Sequence, residues 1–273
     1  MHLFTLTEPS VSFVQSPHPQ EDFSARSSLG DIVAVADGVT LEKNAEGNYP
    51  QDSGAAHAAR LFCIAAVRAA ETAYASFGEE NLLGVFRAGN AAVGEYNRTQ
   101  GRAQDTLDYL GRDFFSATAA FAFCKDRRLY WFSLCDSYVA VFDASRLKFL
   151  SPEPWDAMKP VWKALSATDG TERRALIRKE YRNGGRPKGG YGVATGEAGA
   201  EQYLNCGSQA LEAGDVVVAC TDGFEPYLHL PDFFRLLAAP GTQDLVRAYT
   251  AARSAEDAER FGAERTLAAI AVA

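Results

Sequence analysis

Three apolar runs follow one another in the middle of the chain with very short links between them. They read FFSATAAFAFC (114–124), RLYWFSLC (128–135) and SYVAVFD (137–143), joined by the stretch KDRR and by the single residue Asp136. Links this short suit strands that run in opposite directions, because a parallel pair needs a long crossover. We therefore expect consecutive strands to pair antiparallel, and a doubly wound parallel sheet is not favoured.

Helices are predicted in pairs between the strand runs. An alanine-rich segment over 55–77 and a second segment over Leu82–Arg98 begin the pattern, and Asp232–Ala238 and Asp244–Phe261 continue it. This order predicts an α+β fold in which helices cover antiparallel sheets. Because no linker or low-complexity tract divides the sequence, we expect residues 1–273 to form a single domain.

A glycine-rich insertion is predicted around residues 151–200. Six glycines lie between positions 184 and 196, which predicts a flexible loop with functional potential. Trp155 and Trp162 are seven residues apart, and this spacing favours packing along a helix over a recognition surface.

Charge and composition exclude several classes of protein. The net charge of −8 disfavours nucleic-acid binding, which needs clustered Lys and Arg. Five cysteines, an odd number lying mostly inside apolar runs, predict buried thiols without disulfides in a reducing compartment. Neither a signal peptide nor a run of about 20 apolar residues is present, so we expect a cytoplasmic protein without membrane partners.

Two apolar runs that are far apart in sequence both end in Asp-Gly. DIVAVADGVT carries Asp37 and Gly38, DVVVACTDGF carries Asp222, and an acidic pair, Glu21 and Asp22, precedes the first run. A single Asp-Gly pair is most simply a turn. Carboxylates at strand ends also suit hard divalent cations, which prefer oxygen ligands. The residues alone leave turns and a shared metal site equally open.

The order of the motifs is more specific than any one of them. QEDF, AVADGV, FFSATAAF, LYWFSLCDSYVAVF, GDVVVACTDGF and ERTLAAIAV follow one another from Gln20 to the C-terminus. This order resembles the metal-dependent Ser/Thr protein phosphatase family (PPM, type 2C) in its compact bacterial form. The resemblance implies a four-layer αββα sandwich, with two antiparallel sheets flanked by pairs of helices. It also implies a centre of two Mn²⁺ or Mg²⁺ ions.

The resemblance assigns roles to the acidic residues. Asp37 matches the aspartate that bridges both metals, Gly38 matches the glycine whose carbonyl binds one of them, and Asp222 matches the second direct ligand. Glu21 and Asp22 match the pair that orients metal-bound waters. In this family a water bridged by the two ions attacks phosphorus, so Asp37 and Asp222 are also the expected catalytic residues.

A third aspartate falls within a family motif, with one difference. Asp136-Ser137 matches Gly-Asp-Ser, with Cys135 where glycine is usual. We expect Asp136 to be a structural turn between strands. Val39 follows the bacterial pattern, so no histidine follows the first Asp-Gly pair as a general acid.

The sequence departs from the family in two places. Ala263 occupies the usual position of a ligand aspartate, and its neighbour Glu264 is the candidate replacement. Pro17 occupies the position of the arginine that usually binds the substrate phosphate. The cations that could replace that arginine are His18, for which an exposed loop position is the simpler expectation, and Arg26, Arg186 and Lys188.

The prediction is therefore a protein phosphatase that hydrolyses phosphoserine and phosphothreonine and opposes a Ser/Thr kinase. Ala263 and Pro17 motivate an alternative, a catalytically weak regulatory module that binds phosphorylated protein partners. A more remote alternative is a scaffold in which both Asp-Gly pairs are turns.

Overall fold

Two sheets of five strands form the centre of the molecule. The computed structural model describes residues 2–11, 18–39, 49–50, 52–152, 158–184, 189–239 and 242–273. The strands in these ranges are β1 His2–Glu8, β2 Phe23–Arg26, β3 Asp31–Gly38, β4 Ala117–Lys125, β5 Arg128–Leu134, β6 Tyr138–Phe142, β7 Leu147–Leu150, β8 Asn205–Ala210, β9 Val216–Cys220 and β10 Arg265–Ala271. One sheet has the order β1-β10-β9-β6-β7 and the other β2-β3-β4-β5-β8. Every neighbouring pair is antiparallel, so the predicted strand direction is confirmed.

Helices cover the outer face of each sheet. They are α1 Gly54–Thr72, α2 Leu82–Thr99, α3 Lys159–Ala164, α4 Gly170–Tyr181, α5 Pro231–Leu237, α6 Thr242–Glu256 and α7 Ala258–Phe261. The first two pack on the β2–β8 sheet, and α5, α6 and α7 pack on the β1–β7 sheet. The predicted four-layer αββα sandwich is confirmed. No helix in the described ranges is both long enough and apolar enough to cross a bilayer.

Strand alternation supplies the packing. In β3, Ile32, Ala34 and Ala36 belong to the core beneath the helices, whereas Val33 and Val35 belong to the core between the sheets. Side chains two residues apart share a face of a strand, so each sheet contributes to two cores. This explains why the central strands are apolar along their whole length.

The chain passes from one sheet to the other between β5 and β6. The first hairpin, β4 to β5, pairs as expected. The expected pairing of β5 with β6 is wrong, because β6 pairs with β9 and β7 in the opposite sheet. Cys135 adopts a left-handed backbone conformation with φ of 57°, which turns the chain out of the first sheet. The family's usual glycine would adopt this conformation without a steric cost.

The insertion is better anchored than its glycine content predicts. Val193 and Thr195 are buried, and the side chain of Asn183 donates hydrogen bonds to the Val193 carbonyl and the Thr195 hydroxyl, both at 2.9 Å. Helices α3 and α4 share a small apolar core that includes Ile177. Trp162 is 39% exposed and the Arg173 guanidinium lies 5.7 Å from the centre of its ring, so the predicted packing along the helix is partial. Trp155 lies outside the described residues.

Four of the five cysteines are buried as expected. Cys206 is the exception, because it lies exposed on the edge strand β8. No disulfide is formed by the five thiols.

Both Asp-Gly glycines are explained by close backbone approach, and neither pair forms a hairpin turn. A Cβ on Gly38 would lie 2.5 Å from the carbonyl of Ala55 at the start of α1. A Cβ on Gly223 would lie 1.9 Å from the carbonyl oxygen of Glu264, just before β10. Each glycine therefore lets an aspartate-bearing strand end pack against another element.

We predict that Gly223→Ala lowers the free energy of unfolding by about 1–3 kcal/mol, because the new methyl group displaces the Glu264 backbone. Urea denaturation measures this change. The matched control is Gly84→Ala in α2, where a Cβ would meet nothing within 4 Å. That control should gain about 0.5–1 kcal/mol from the better helix propensity of alanine. Equal effects of the two substitutions would contradict the packing explanation.

Candidate active site

Asp37 stands where the apolar core between the sheets ends. The alternation that places Val33 and Val35 between the sheets places Asp37 on the same face of β3. In the register of the sheet, Asp37 pairs with Thr118 of β4. At this end of β3 the face that packs between the sheets therefore changes from the apolar Val35 to the charged Asp37.

The acidic pair, Glu21 and Asp22, lies next to Asp37 because the strand that follows the pair, β2, is the neighbour of β3. Phe23 pairs with Ala36, and the backbone N–H of Gly38 donates to the Glu21 carbonyl at 3.3 Å. This register places Asp22 next to Asp37 across the two strands. The two residues are therefore neighbours in the structure, although they are 15 positions apart in the sequence.

The opposite sheet meets this edge through a threonine. The Thr221 hydroxyl donates to Asp22 Oδ2 at 2.8 Å, and it accepts the backbone N–H of Thr266 at 2.9 Å. Asp222 follows Thr221 directly and begins a short 3₁₀ turn. The two Asp-Gly ends, one from each sheet, are thus brought to one site.

Glu264 holds the acidic pair in place through its backbone. Its Oε1 accepts the N–H groups of Glu21 and Asp22, each at 2.6 Å, and the side-chain amide of Gln20 at 2.7 Å. Its second oxygen lies 3.9 Å from Nδ1 of His18. Ala263 is exposed and supplies no ligand atom from its side chain.

His18, one of the candidate replacements for the phosphate-binding arginine, lies beside the acidic pair. Its side chain is only 7% exposed, and Nε2 lies 3.4 Å from Oε2 of Glu21. Nδ1 donates to the Pro19 carbonyl at 2.7 Å. The expectation of an exposed loop histidine is wrong, because the ring packs edge-on to Tyr49 and against two carboxylates.

The carboxylates strongly perturb one another. Burial, and then the charges of Asp22 and Asp222, hold the pKa of Asp37 well above its usual range. Burial and the charges of Glu264 and Asp222 likewise raise the pKa of Asp22 well above its usual range. Burial and the charge of Asp136 raise the pKa of Asp222 to about 7. Burial raises the pKa of Glu21 to about 8, against the hydrogen bond that Ser53 donates to it.

Asp136 is more than the turn residue that the sequence predicts. Its charge raises the pKa of both Asp37 and Asp222, so it lies within electrostatic range of the two Asp-Gly ends. The signal for this was already present in the sequence, because Asp136-Ser137 forms part of a family motif. Ser137 also reaches the site, and its hydroxyl lies 2.7 Å from that of Thr118.

Of the candidate phosphate-binding cations that the structure describes, His18 lies in the site and Arg26 does not. Arg26 pairs with Val33 at the far end of β2, four residues and about 13 Å along the strand from Asp22. Pro17, Arg186 and Lys188 lie outside the described residues. Three arginines that the sequence analysis did not single out, Arg174, Arg178 and Arg182, line a cavity beside Asp136.

The donor set suits hard divalent cations. Carboxylate and carbonyl oxygens are the ligands that Mg²⁺ and Mn²⁺ prefer, and such ions keep several waters when one or two carboxylates bind them. Among the described residues, no three His, Cys, Asp or Glu side chains converge closely enough to hold an ion without water. The site fits ions bound by few direct carboxylates and by water.

We predict that the metal-free protein becomes less stable as the pH rises from about 5 to 8. The pKa values of Glu21 (about 8) and Asp222 (about 7) exceed their ordinary values of 4.5 and 3.8. In this window the folded state keeps protons that the unfolded state has released, so stability falls by at least about 1 kcal/mol. Thermal melts in a chelator measure the fall, and Mn²⁺ should reduce it by replacing the protons.

The control for this prediction is Glu21→Gln, which removes one of the titrating groups and keeps a side chain of similar size. Its melting temperature should depend less steeply on pH between 5 and 8. A slope identical to that of the unchanged protein, or stability that rises with pH in the chelator, would contradict the electrostatic account.

Comparisons with known proteins agree with this architecture. No model of a known protein family matches the sequence, and no curated protein matches it. Among solved structures, the Ser/Thr phosphatase PstP of Mycobacterium tuberculosis aligns over 100% of this chain and 99% of its own, with a TM-score of 0.60 and 16% identity. A PstP catalytic domain with two manganese ions aligns over 100% and 98%, with a TM-score of 0.62 and 18% identity.

PppA of Pseudomonas aeruginosa is similar as well, over 98% of this chain and 96% of its own, with a TM-score of 0.62 and 14% identity. Identities this low establish the architecture alone. The chain has the fold of the PPM-type Ser/Thr protein phosphatases.

Proposed function

We propose that the protein is a metal-dependent phosphatase that hydrolyses phosphoserine and phosphothreonine in proteins, and that residues 1–273 form one phosphatase domain. The observation that carries the proposal is the meeting of the two Asp-Gly ends, one from each sheet, beside the acidic pair. The fold adds support, since phosphatases have it and one of them binds two manganese ions.

The chain's own residues would divide the work as follows. Asp37 and Asp222 would hold the ions directly, the Gly38 carbonyl would assist, and Glu21 and Asp22 would orient water around them. When bound, divalent ions supply positive charge for the phosphoryl group and activate water for in-line attack. The apolar core directly behind Asp37 excludes bulk water and strengthens every charge interaction in front of it.

Glu264 would act in two ways. Through Oε1 it fixes the backbone of Glu21 and Asp22, and through Oε2 it would serve as a ligand or as an acceptor for water. Hydrogen bonds that orient ligands in this way commonly control affinity or activity by about 10–100-fold. The role of Glu264 is therefore proposed as positioning first and ligation second.

We predict Mn²⁺-dependent hydrolysis of p-nitrophenyl phosphate and of a phosphothreonine peptide. Asp37→Asn should lower kcat/KM by about 100-fold or more, since it removes the central charge of the metal site. The matched control is Asp31→Asn, at the other end of the same strand, which should retain most of the activity. Steady-state assays across a Mn²⁺ and Mg²⁺ titration measure both variants.

Absence of turnover in the unchanged protein at every metal concentration would sink the phosphatase proposal. Retained binding of the phosphopeptide in that case would favour the regulatory module. Equal losses of kcat/KM in Asp37→Asn and Asp31→Asn would show that removing any carboxylate of β3 impairs activity, and that the loss does not come from the site.

A second prediction concerns the position that lacks a carboxylate. Ala263→Asp should lower the Mn²⁺ concentration needed for half-maximal activity, because an added negative charge favours a second ion. The control is Ala251→Asp, on the exposed face of α6, which should not change the metal requirement. A similar shift in both variants would indicate a long-range charge effect without a ligand.

A further inference from the structure

A cavity of about 190 Å³ opens beside the acidic centre. Val39 and Asp136 both line it. Val39 lies two residues after Asp37, and the charge of Asp136 acts on Asp37. The opposite wall comes from the insertion, through Trp162 on α3 and the side chains of α4. The cavity therefore connects the site of the proposed chemistry to the insertion.

Its lining combines an apolar part with charged side chains. Trp162, Ile177, Tyr191 and Val193 contribute side chains that carry little or no charge. A cavity of roughly 150 Å³ lined by apolar side chains is large enough to bind benzene. The cavity can therefore accept one large apolar side chain.

Its mouth carries positive charge. Arg174, Ile177 and Arg178 share one face of α4, because residues three and four apart are neighbours on a helix. Arg182, just past the helix, lies against the same cavity.

Two of the three arginines share one carboxylate partner, and the third does not contact that carboxylate. Arg182 forms two hydrogen bonds with the buried carboxylate of Asp113, at 2.8 and 2.9 Å, and Arg178 lies 3.5 Å from the same carboxylate. In the described part of the chain no carboxylate lies within 4.0 Å of the Arg174 guanidinium, whose Nε donates to the Gly170 carbonyl at 3.3 Å. Arg174 is also exposed, so it is the cation available to a ligand.

A buried ion pair holds the cavity wall that α4 forms. The ion pair of Arg182 with Asp113 joins the end of α4 to the segment just before β4, and both side chains are buried. A buried, doubly hydrogen-bonded ion pair is costly to break. The position of α4, and therefore of Arg174, relative to the acidic centre is fixed by this contact.

We propose that this cavity is a peptide subsite of the proposed phosphatase, which takes a large apolar side chain within two residues of the phosphorylated residue, while Arg174 at its mouth binds a carboxylate of the same peptide. The proposal rests on the phosphatase function. The substrate class is thus a phosphoprotein segment with one large apolar residue and one acidic residue beside the phosphorylation site. Arg174 and Trp162 are specificity-determining residues and take no part in the chemistry.

The test uses phosphothreonine peptides that carry leucine or serine at each of four flanking positions, with glutamate or lysine beyond them. We expect kcat/KM, divided by the value for p-nitrophenyl phosphate, to favour leucine by about tenfold at one position. Glutamate should be favoured over lysine by roughly two- to fivefold. Trp162→Ala should reduce the leucine preference, because it removes one wall.

A charge reversal at Arg174 tests the role of this residue more directly. Arg174→Glu should reverse the preference, so that the lysine peptide becomes the better substrate. The matched control is Lys179→Glu, the same charge change on the same helix at a residue that does not line the cavity. Its glutamate preference should match that of the unchanged protein.

The outcomes separate the two proposals. Turnover of all the substrates without any preference for leucine or glutamate, or an equal effect of the two charge reversals, would overturn the subsite and leave the phosphatase standing. Absence of all turnover with Mn²⁺ would reject the phosphatase. Peptide affinities from fluorescence anisotropy would then decide the subsite, since an affinity independent of the charge at position 174 would overturn it.

Discussion

The burial of several carboxylates between two sheets is the interaction to which the rest of the structure is adjusted. Burial and the charges of neighbouring carboxylates raise the pKa of Asp22, Asp37 and Asp222, because keeping these groups ionised away from water is costly in free energy. Neutral donors offset part of this cost, among them the Thr221 hydroxyl and the backbone amides bound by Glu264. An arrangement that is costly without cations is also one with a strong affinity for them.

The two sheets can bring these groups together only because they are tied at one end. Thr221 bridges them through Asp22 and Thr266, and Gly223 allows its turn to approach the start of β10. The chain crosses between the sheets at Cys135, next to Asp136. The site therefore depends on the topology of the sandwich, because moving either sheet would separate the aspartates.

The insertion adds a wall of side chains beside this frame. The body of the sandwich supplies the acidic centre, while α3 and α4 supply an apolar wall and an exposed arginine beside it. Their attachment through Arg182 and Asp113 is a side-chain contact, so the wall can vary while the strands that carry the centre stay unchanged.

Local pattern determined much of this protein. Strand period, short links and Asp-Gly ends predicted antiparallel sheets and placed Asp37 and Asp222 at strand ends, because these signals depend on near neighbours in the chain. Tertiary structure alone decided that β6 leaves the sheet of β5, that the His18 side chain is buried, and that Arg174 lines the same cavity as Asp136. Those features depend on contacts between segments far apart in sequence. The hydrophobic periodicity of a single segment carries no information about such contacts.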